Sequence, residues 1–141
     1  MSYIRLVNVT KKFGDVTAVD NLNIEIGKGE CFSMLGPSGC GKTTTLRMVA
    51  GFEDLSDGEA WVGDRLLSSP RKRHYTPPEH RNFGMVFQAF AVWPHMNIYE
   101  NVAFPLRLRN LPAAEIDKRT KDALTSTNLL KYADQSPADL S

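Results

Sequence analysis

Long apolar runs are missing from this chain. No stretch approaches the roughly 20 consecutive apolar residues that a helix needs to cross a bilayer, and the first five residues lack the pattern of a secretory signal. The composition is otherwise that of an ordinary globular protein, because 42% of the 141 residues are hydrophobic and 23% are charged. We therefore expect a cytosolic protein of globular-domain size.

A charge excess of one sign is also missing. Seventeen basic residues are offset by sixteen acidic ones, which leaves a net charge of +1. This balance gives no electrostatic case for binding nucleic acid. The basic cluster at 71–74 is short and flanked by prolines, so we interpret it as a solvated loop rather than a patch for nucleic acid or anionic lipid.

Cysteine is scarce. The two cysteines, Cys31 and Cys40, have the spacing of neither a metal site nor a disulfide framework. Cys31 stands in an apolar run and is predicted to be a small buried residue. Cys40 falls inside a glycine-rich segment, which is the most informative part of the chain.

That glycine-rich segment, residues 36–43, matches the pattern G-x-x-x-x-G-K-[ST] of a phosphate-binding loop. Its residues are Gly36, Pro37, Ser38, Gly39, Cys40, Gly41, Lys42 and Thr43. The apolar run 31–35 precedes it and the helix-compatible stretch 44–50 follows it, which is the strand-loop-helix context that the pattern requires. We therefore predict a nucleotide-binding loop; the alternative is a glycine-rich turn with an ordinary surface lysine.

Each residue type in the loop suits a triphosphate. The three glycines permit backbone conformations that turn successive N–H groups inward around an anion. The helix that starts near Lys42 adds its positive N-terminal end, and the ammonium supplies a cation for the β and γ phosphates. Thr43 offers a hydroxyl to Mg²⁺, and Thr44 is a second, weaker oxygen donor.

Periodicity outlines the remaining elements. Alternation predicts antiparallel strands near 3–9 and 22–26 and a short strand at 59–62, whereas the compact apolar runs 31–35 and 83–87 are typical of buried parallel strands. Residues 70–78 are predicted to form a loop. Helices are expected at 98–108, kinked or restarted at Pro105, after Pro112, and at 126–133.

These segments together resemble the ATP-binding cassette (ABC) family. The resemblance rests on the phosphate loop with Thr44, on Ala50-Gly51-Phe52, on Gly84-Met85-Val86-Phe87-Gln88, on Trp93-Pro94-His95 and on Glu100-Asn101-Val102-Ala103-Phe104. It covers essentially the whole chain and is nearest to importer ATPase subunits for sugars, iron or polyamines.

The resemblance implies roles for single residues. Phe13 stands where the family has an aromatic residue that stacks on adenine; the alternative is a Phe that faces the core. Gln88 matches the glutamine that senses the γ-phosphate and Mg²⁺, so Lys42 and Gln88 are the predicted catalytic residues, and Thr43 and Gln88 the predicted metal ligands. The segment 89–101 resembles the surface that docks on the permease, so Phe90, Trp93 and Met96 are interface candidates, although the Trp and Met could equally belong to the core.

The chain departs from the family pattern in three places. The loop 68–74 is several residues longer than usual, and Pro105 replaces a frequent glycine. The sequence stops at Ser141, where the family's Leu-Ser-Gly-Gly-Gln signature begins, so it holds no Walker B aspartate, catalytic glutamate or switch histidine. Because the family's central sheet uses strands from beyond the signature, we expect an incomplete central sheet with exposed strand edges.

The predicted fold is α/β: a P-loop ATPase core with an N-terminal antiparallel β subdomain (1–88) and the start of a helical subdomain (89–141). The predicted function is the ATP-binding subunit of an ABC importer that uses ATP and Mg²⁺. The implied partners are transmembrane permease subunits, a second ATPase subunit and, indirectly, an extracellular solute-binding protein, with no nucleic acid. The implied location is the inner face of the cell membrane.

Three alternatives remain. A small phosphotransferase could use the same loop, but it would need an acceptor pocket and a basic lid. A non-transport ABC protein acting on ribosomes or DNA is disfavoured by the neutral charge. A module that binds nucleotide without hydrolysing it could describe these 141 residues, since the predicted hydrolytic carboxylate lies outside them.

Overall fold

The computed structural model describes residues 2–89 and 91–140. The chain divides into two compact units, 1–86 and 87–141. The sequence had suggested a division between residues 88 and 89.

The first unit is built on a five-stranded antiparallel sheet in the order β2-β1-β3-β4-β5. Its strands are β1 (Ser2–Phe13), β2 (Val16–Gly27), β3 (Asp57–Val62), β4 (Arg65–Ser69) and β5 (His74–Tyr75). One helix, α1 (Lys42–Ala50), interrupts the series between β2 and β3. The predicted antiparallel β subdomain and the helix after the phosphate loop are therefore confirmed.

The core of this unit lies between the sheet and α1. Strands β1 and β2 contribute Leu6, Val9 and Val19 to it, and α1 contributes Met48, which is fully buried. The buried cluster comprises Leu6, Val9, Val19, Met48, Leu55, Ala60 and Leu67. Helix α1 ends at its C-cap, Gly51, which has a left-handed φ of 90°. Glycine adopts this angle without steric strain because it has no Cβ.

The two predicted parallel strands are not formed. Residues 31–35 and 83–87 have no regular secondary structure, and Leu35 and Val86 are 101% and 98% exposed. A strand exists only where a neighbour completes its ladder of hydrogen bonds, and neither segment is part of the five-stranded sheet. Cys31 is exposed, so the prediction that it is buried was wrong.

The predicted loop at 70–78 contains more structure than expected. It includes β5, and a 3₁₀ helix follows at Pro78–His80. The basic cluster turns back onto the sheet, where Arg71 pairs with Asp57 at 2.9 Å and Lys72 pairs with Glu59 at 2.8 Å. Two of its charges are therefore already neutralised by carboxylates of β3.

The second unit is helical. Helix α2 (Ile98–Leu108) begins with a capping box in which Asn97 and Glu100 exchange side-chain and backbone hydrogen bonds of 2.7 and 3.0 Å. Helix α2 is continuous through Pro105 rather than restarting there. Tyr99 of α2 donates a hydrogen bond of 3.0 Å to Asp117 of α3.

The bounds of the remaining helical elements are α3 at Ala113–Ser126 and 3₁₀ turns at Leu130–Tyr132 and Pro137–Asp139. The predicted helix at 126–133 was wrong, because Asn128 adopts a φ of 59° and a left-handed residue ends the helical path. No helix within the described ranges is long and apolar enough to cross a membrane.

Candidate nucleotide-binding site

The phosphate loop reverses the chain through two left-handed glycines. Gly39 and Gly41 have φ values of 82° and 92°. A residue with a Cβ is strained at such angles, so these positions require glycine. Between them, the Cys40 amide donates a hydrogen bond of 3.4 Å to the Pro37 carbonyl and tightens the turn.

Gly41 also allows the loop to lie directly on β2. A Cβ at this position would stand 2.6 Å from the Ala18 carbonyl oxygen and 3.0 Å from a Val19 methyl group. At Gly36, a Cβ would stand 2.7 Å from the Cys40 sulfur. The close packing of loop on strand therefore fixes where the loop's N–H groups point.

Helix α1 presents its N-terminus at the end of the loop. The Thr45 amide and hydroxyl both donate to the Gly41 carbonyl, at 2.8 and 3.0 Å. The amides of 42–44 donate no hydrogen bond to any described residue, and the first turn carries no acidic residue. These amides and the positive end of the helix dipole are thus available to an anion.

The Lys42 ammonium lies inside the loop. Its Nζ donates to the carbonyls of Gly36 and Pro37, both at 2.7 Å, and contacts the Cys40 sulfur at 3.4 Å. These three contacts use the three donors of an ammonium group. A phosphate that enters the loop therefore exchanges at least one of these contacts for a charge-assisted bond.

A cleft of about 460 Å³ opens beside the loop. Ala18 and Val19 of β2 line one part of it, and Cys40, Gly41 and Lys42 line another. The sequence did not identify Ala18 and Val19 as site residues. A pattern along the chain could not find them, because they reach the loop only through the fold.

The hydroxyls of Thr43 and Thr44 are free among the described residues, whereas that of the buried Thr45 is bound to the helix backbone. Thr43 is exposed in the first turn of α1, as a ligand of a phosphate-bound Mg²⁺ must be. Gln88 is exposed and belongs to the second unit. The described ranges contain no cluster of three or more His, Cys, Asp or Glu side chains that could hold a metal by itself.

Phe13 closes β1 and is not part of the core. It is 46% exposed, pairs with Val16 of β2, and has the Lys11 ammonium 4.7 Å from its ring centroid. The alternative of a core-facing Phe13 therefore disagrees with the structure. The ring is accessible to a base, and Lys11 covers one part of it.

The segment before α2 is organised by Asn101. Its side-chain amide donates to the carbonyls of Trp93, Met96 and Asn97 at 2.9–3.1 Å, and its oxygen accepts from the Trp93 amide at 2.7 Å. The Trp93 side chain is half exposed, with Phe104 at 5.9 Å between ring centroids. The sequence contained Asn101 within a motif but did not predict this role; Phe90 lies outside the described residues.

The first acidic residues that follow the loop in the sequence, Glu53 and Asp54, are engaged elsewhere. Glu53 pairs with Lys11 at 3.0 Å, and Asp54 accepts a hydrogen bond of 2.6 Å from the Ser68 hydroxyl. Both follow the C-terminal end of α1, whereas the phosphate loop precedes its N-terminal end. Neither carboxylate is placed to activate a water at a bound phosphate.

Comparison with known proteins adds to this geometry. The family described as "ABC transporter" matches residues 19–141. The trehalose/maltose import ATP-binding protein MalK of Thermococcus litoralis is 48% identical over 141 residues, which is 100% of this chain and 38% of that protein. The spermidine/putrescine import ATP-binding protein PotA of Rubrobacter xylanophilus is 47% identical over 138 residues, 98% of this chain and 35% of that protein.

A solved structure is also similar. The ATP-binding cassette MJ0796, solved in a dimeric post-hydrolysis state bound to ADP and Pi, superposes on this chain with a TM-score of 0.80 at 30% identity. The superposition covers 98% of this chain and 63% of the MJ0796 chain. The chain spans 35% to 38% of the length of the two curated relatives. The family match covers 123 of the 141 residues (19 to 141), and the solved structure shares the fold. Together with the phosphate loop packed on β2, these findings show that the chain belongs to the ABC transporter family.

Proposed function

We propose that this chain binds MgATP as part of the ATP-binding subunit of an ABC importer. The observation that carries the proposal is the phosphate loop itself. Its ammonium is already inside the turn, and the first three amides of α1 are free to bind an anion. A triphosphate supplies the dense negative charge that such an arrangement fits.

In this proposal, the phosphates lie in the loop 36–43 and the Lys42 ammonium binds their β and γ oxygens. The Thr43 hydroxyl and Gln88 are ligands of Mg²⁺, whose chemistry is to neutralise charge on the transferred phosphoryl group. Phe13 stacks on the adenine. The free hydroxyl of Thr43, the exposed amide of Gln88 and the exposed ring of Phe13 support these roles.

The importer role is supported by the names of the relatives, which are import ATP-binding proteins for sugars and polyamines. It implies permease subunits and a second ATPase subunit as partners, an indirect link to a solute-binding protein, and a position at the inner face of the membrane. The half-exposed Trp93 and the loop held by Asn101 support a docking surface at 89–101.

Titration with a fluorescent ATP analogue, with Mg²⁺ and with excess chelator, tests the nucleotide site. The unmodified chain should bind the analogue more tightly with Mg²⁺, and ATP and ADP should compete better than AMP. Thr43→Val removes the hydroxyl at nearly constant volume and should reduce the Mg²⁺ dependence, because one of the two proposed protein ligands is lost. Thr127→Val, on the second unit, is the control and should change nothing. Equal affinity for AMP and ATP would contradict the proposal.

A second function, nucleotide binding without turnover, is favoured for these residues by the engagement of Glu53 and Asp54. Hydrolysis needs an in-line water and charge compensation at the γ-phosphate. Single-turnover measurement separates the two functions: binding with no release of phosphate supports the second, and release that depends on Lys42 supports hydrolysis by the chain itself.

A further inference from the structure

An arginine that the nucleotide site does not use is buried at the far end of α1. Arg81 is 4% exposed and follows the 3₁₀ helix Pro78–His80. Its Nη1 donates to the carbonyls of Met48 and Val49 at 2.7 and 2.9 Å, and its Nε donates to the Thr76 carbonyl at 2.6 Å. One guanidinium therefore bonds the last turn of α1 to the segment after β5.

The charge of Arg81 is balanced mainly by the helix end, with a weaker long-range contribution from Asp54. No ion pair joins Arg81 to an acidic residue within the described ranges. The last carbonyls of a helix have no intrahelical partner and carry partial negative charge. The Tyr75 ring lies 5.2 Å from the guanidinium carbon and adds a cation–π contact.

Burial nevertheless leaves a cost. Desolvation lowers the pKa of Arg81, and Nη2 is buried with no hydrogen-bond partner among residues 2–89 and 91–140. A buried donor without a partner destabilises a fold. Maximal stability alone therefore does not account for this arrangement, whereas fixing the position of α1 does.

Two further features hold the same helix end. The Tyr75 hydroxyl donates to the Gly51 carbonyl. Gly51 has a φ of 90°, and a Cβ there would stand 2.6 Å from the Arg81 Nε. Only glycine leaves room for the guanidinium, so the residue that ends α1 and the side chain of Arg81 pack directly against each other.

The position of this end determines the position of the other. Helix α1 has nine residues, about 13 Å in length at 1.5 Å per residue. It is short and hydrogen-bonded along its axis, so a shift or tilt at Met48 and Val49 displaces the free amides of 42–44. Those amides bind phosphate only within hydrogen-bond distance.

We propose that Arg81, together with Tyr75, is a positioning residue for the phosphate loop: it anchors the C-terminal end of α1 so that the N-terminal amides are held in register for a triphosphate. This inference rests on the proposed nucleotide-binding function. Arg81 does not touch the nucleotide. It acts through the helix.

The test compares Arg81→Met, which keeps an unbranched apolar chain and removes the fork, with Arg81→Lys, which keeps the charge. Arg65→Met is the matched control, because Arg65 is an exposed arginine that donates to the His80 carbonyl at 2.9 Å. Affinity for a fluorescent ATP analogue is measured on folded protein, and hydrogen exchange is compared between 42–50 and 2–13.

Arg81→Met should weaken binding by about tenfold, within the range seen for substitutions that act at a distance on a site. It should speed exchange in 42–50 more than in 2–13. Arg81→Lys should recover part of both effects, and Arg65→Met should cause neither. Unchanged affinity in folded Arg81→Met, or exchange that rises equally in both segments, would overturn the inference.

Tyr75→Phe keeps the inference testable if Arg81→Met does not fold, because it removes one hydroxyl and leaves the ring over Arg81. It should speed exchange in 42–50 and weaken binding by less than Arg81→Met; no change in either would count against the proposal. Absence of ATP binding by the unmodified chain would instead contradict the proposed function, and the exchange comparison would still decide whether Arg81 anchors α1.

Discussion

Replacement of Lys42 by alanine tests the phosphate loop most directly. The ammonium contacts two loop carbonyls at 2.7 Å and the Cys40 sulfur at 3.4 Å, and Lys42 is not a member of the buried core cluster. Gly36 and Pro37 are exposed, so water can hydrate their carbonyls once the ammonium is gone. We expect the free energy of unfolding to change by less than about 0.5 kcal/mol, as for surface substitutions in general.

Binding should respond far more strongly. A hydrogen bond to a charged group contributes about 1.5–3 kcal/mol, and each 1.4 kcal/mol corresponds to a tenfold change, so the affinity for a triphosphate should fall by about 10- to 150-fold. The affinity should fall by an amount near the lower end of this range if the ammonium must first break its hydrogen bonds to the Gly36 and Pro37 carbonyls. Affinity for adenosine, which has no phosphate, should be unchanged.

Titration with a fluorescent ATP analogue and urea unfolding measure the two quantities on the same preparation. Lys28→Ala is the control, since Lys28 is an exposed lysine in the turn that ends β2. It should alter neither the affinity nor the unfolding. Equal triphosphate affinity in Lys42→Ala and the unmodified chain, with both folded, would refute the assignment of the loop.

Three further predictions address other parts of the chain. Phe13→Ala should weaken ATP binding by about 1–3 kcal/mol, as for bases stacked on aromatic residues, whereas Phe13→Trp should bind normally in the same titration; loss of folding without a separate binding effect would contradict stacking. The 141-residue chain should release no phosphate from ATP in a single-turnover assay, and release that is lost in Lys42→Ala would refute this. Lys72 holds the pKa of Glu59 below its usual range, so the ion pair stabilises the fold above the ordinary carboxylate pKa and is lost as the pH falls through the lowered value. Urea midpoints between pH 7 and pH 3 should therefore fall less in Glu59→Gln than in the unmodified chain, and parallel curves would contradict this.

The sequence alone determined those features that depend on residues close together in the chain. The phosphate loop, the start of α1 near Lys42 and its end at Gly51 depend on backbone angles and helix ends that neighbouring residues set. The antiparallel strands β1 and β2 follow each other closely and share an alternating pattern, so they too were predictable. The capping box at Asn97 and the family resemblance likewise depend only on the identity and spacing of residues along the chain.

Tertiary structure decided what depends on partners distant along the chain. Residues 31–35 and 83–87 have the composition of buried strands, but a strand needs a neighbouring strand, and neither segment joins the five-stranded sheet. Ala18 touches Gly41, and Arg81 bonds the carbonyls of Met48 and Val49 across more than 30 positions of sequence. No periodicity encodes such pairs, because they arise only when the sheet and α1 pack together and place a helix end beside a particular side chain.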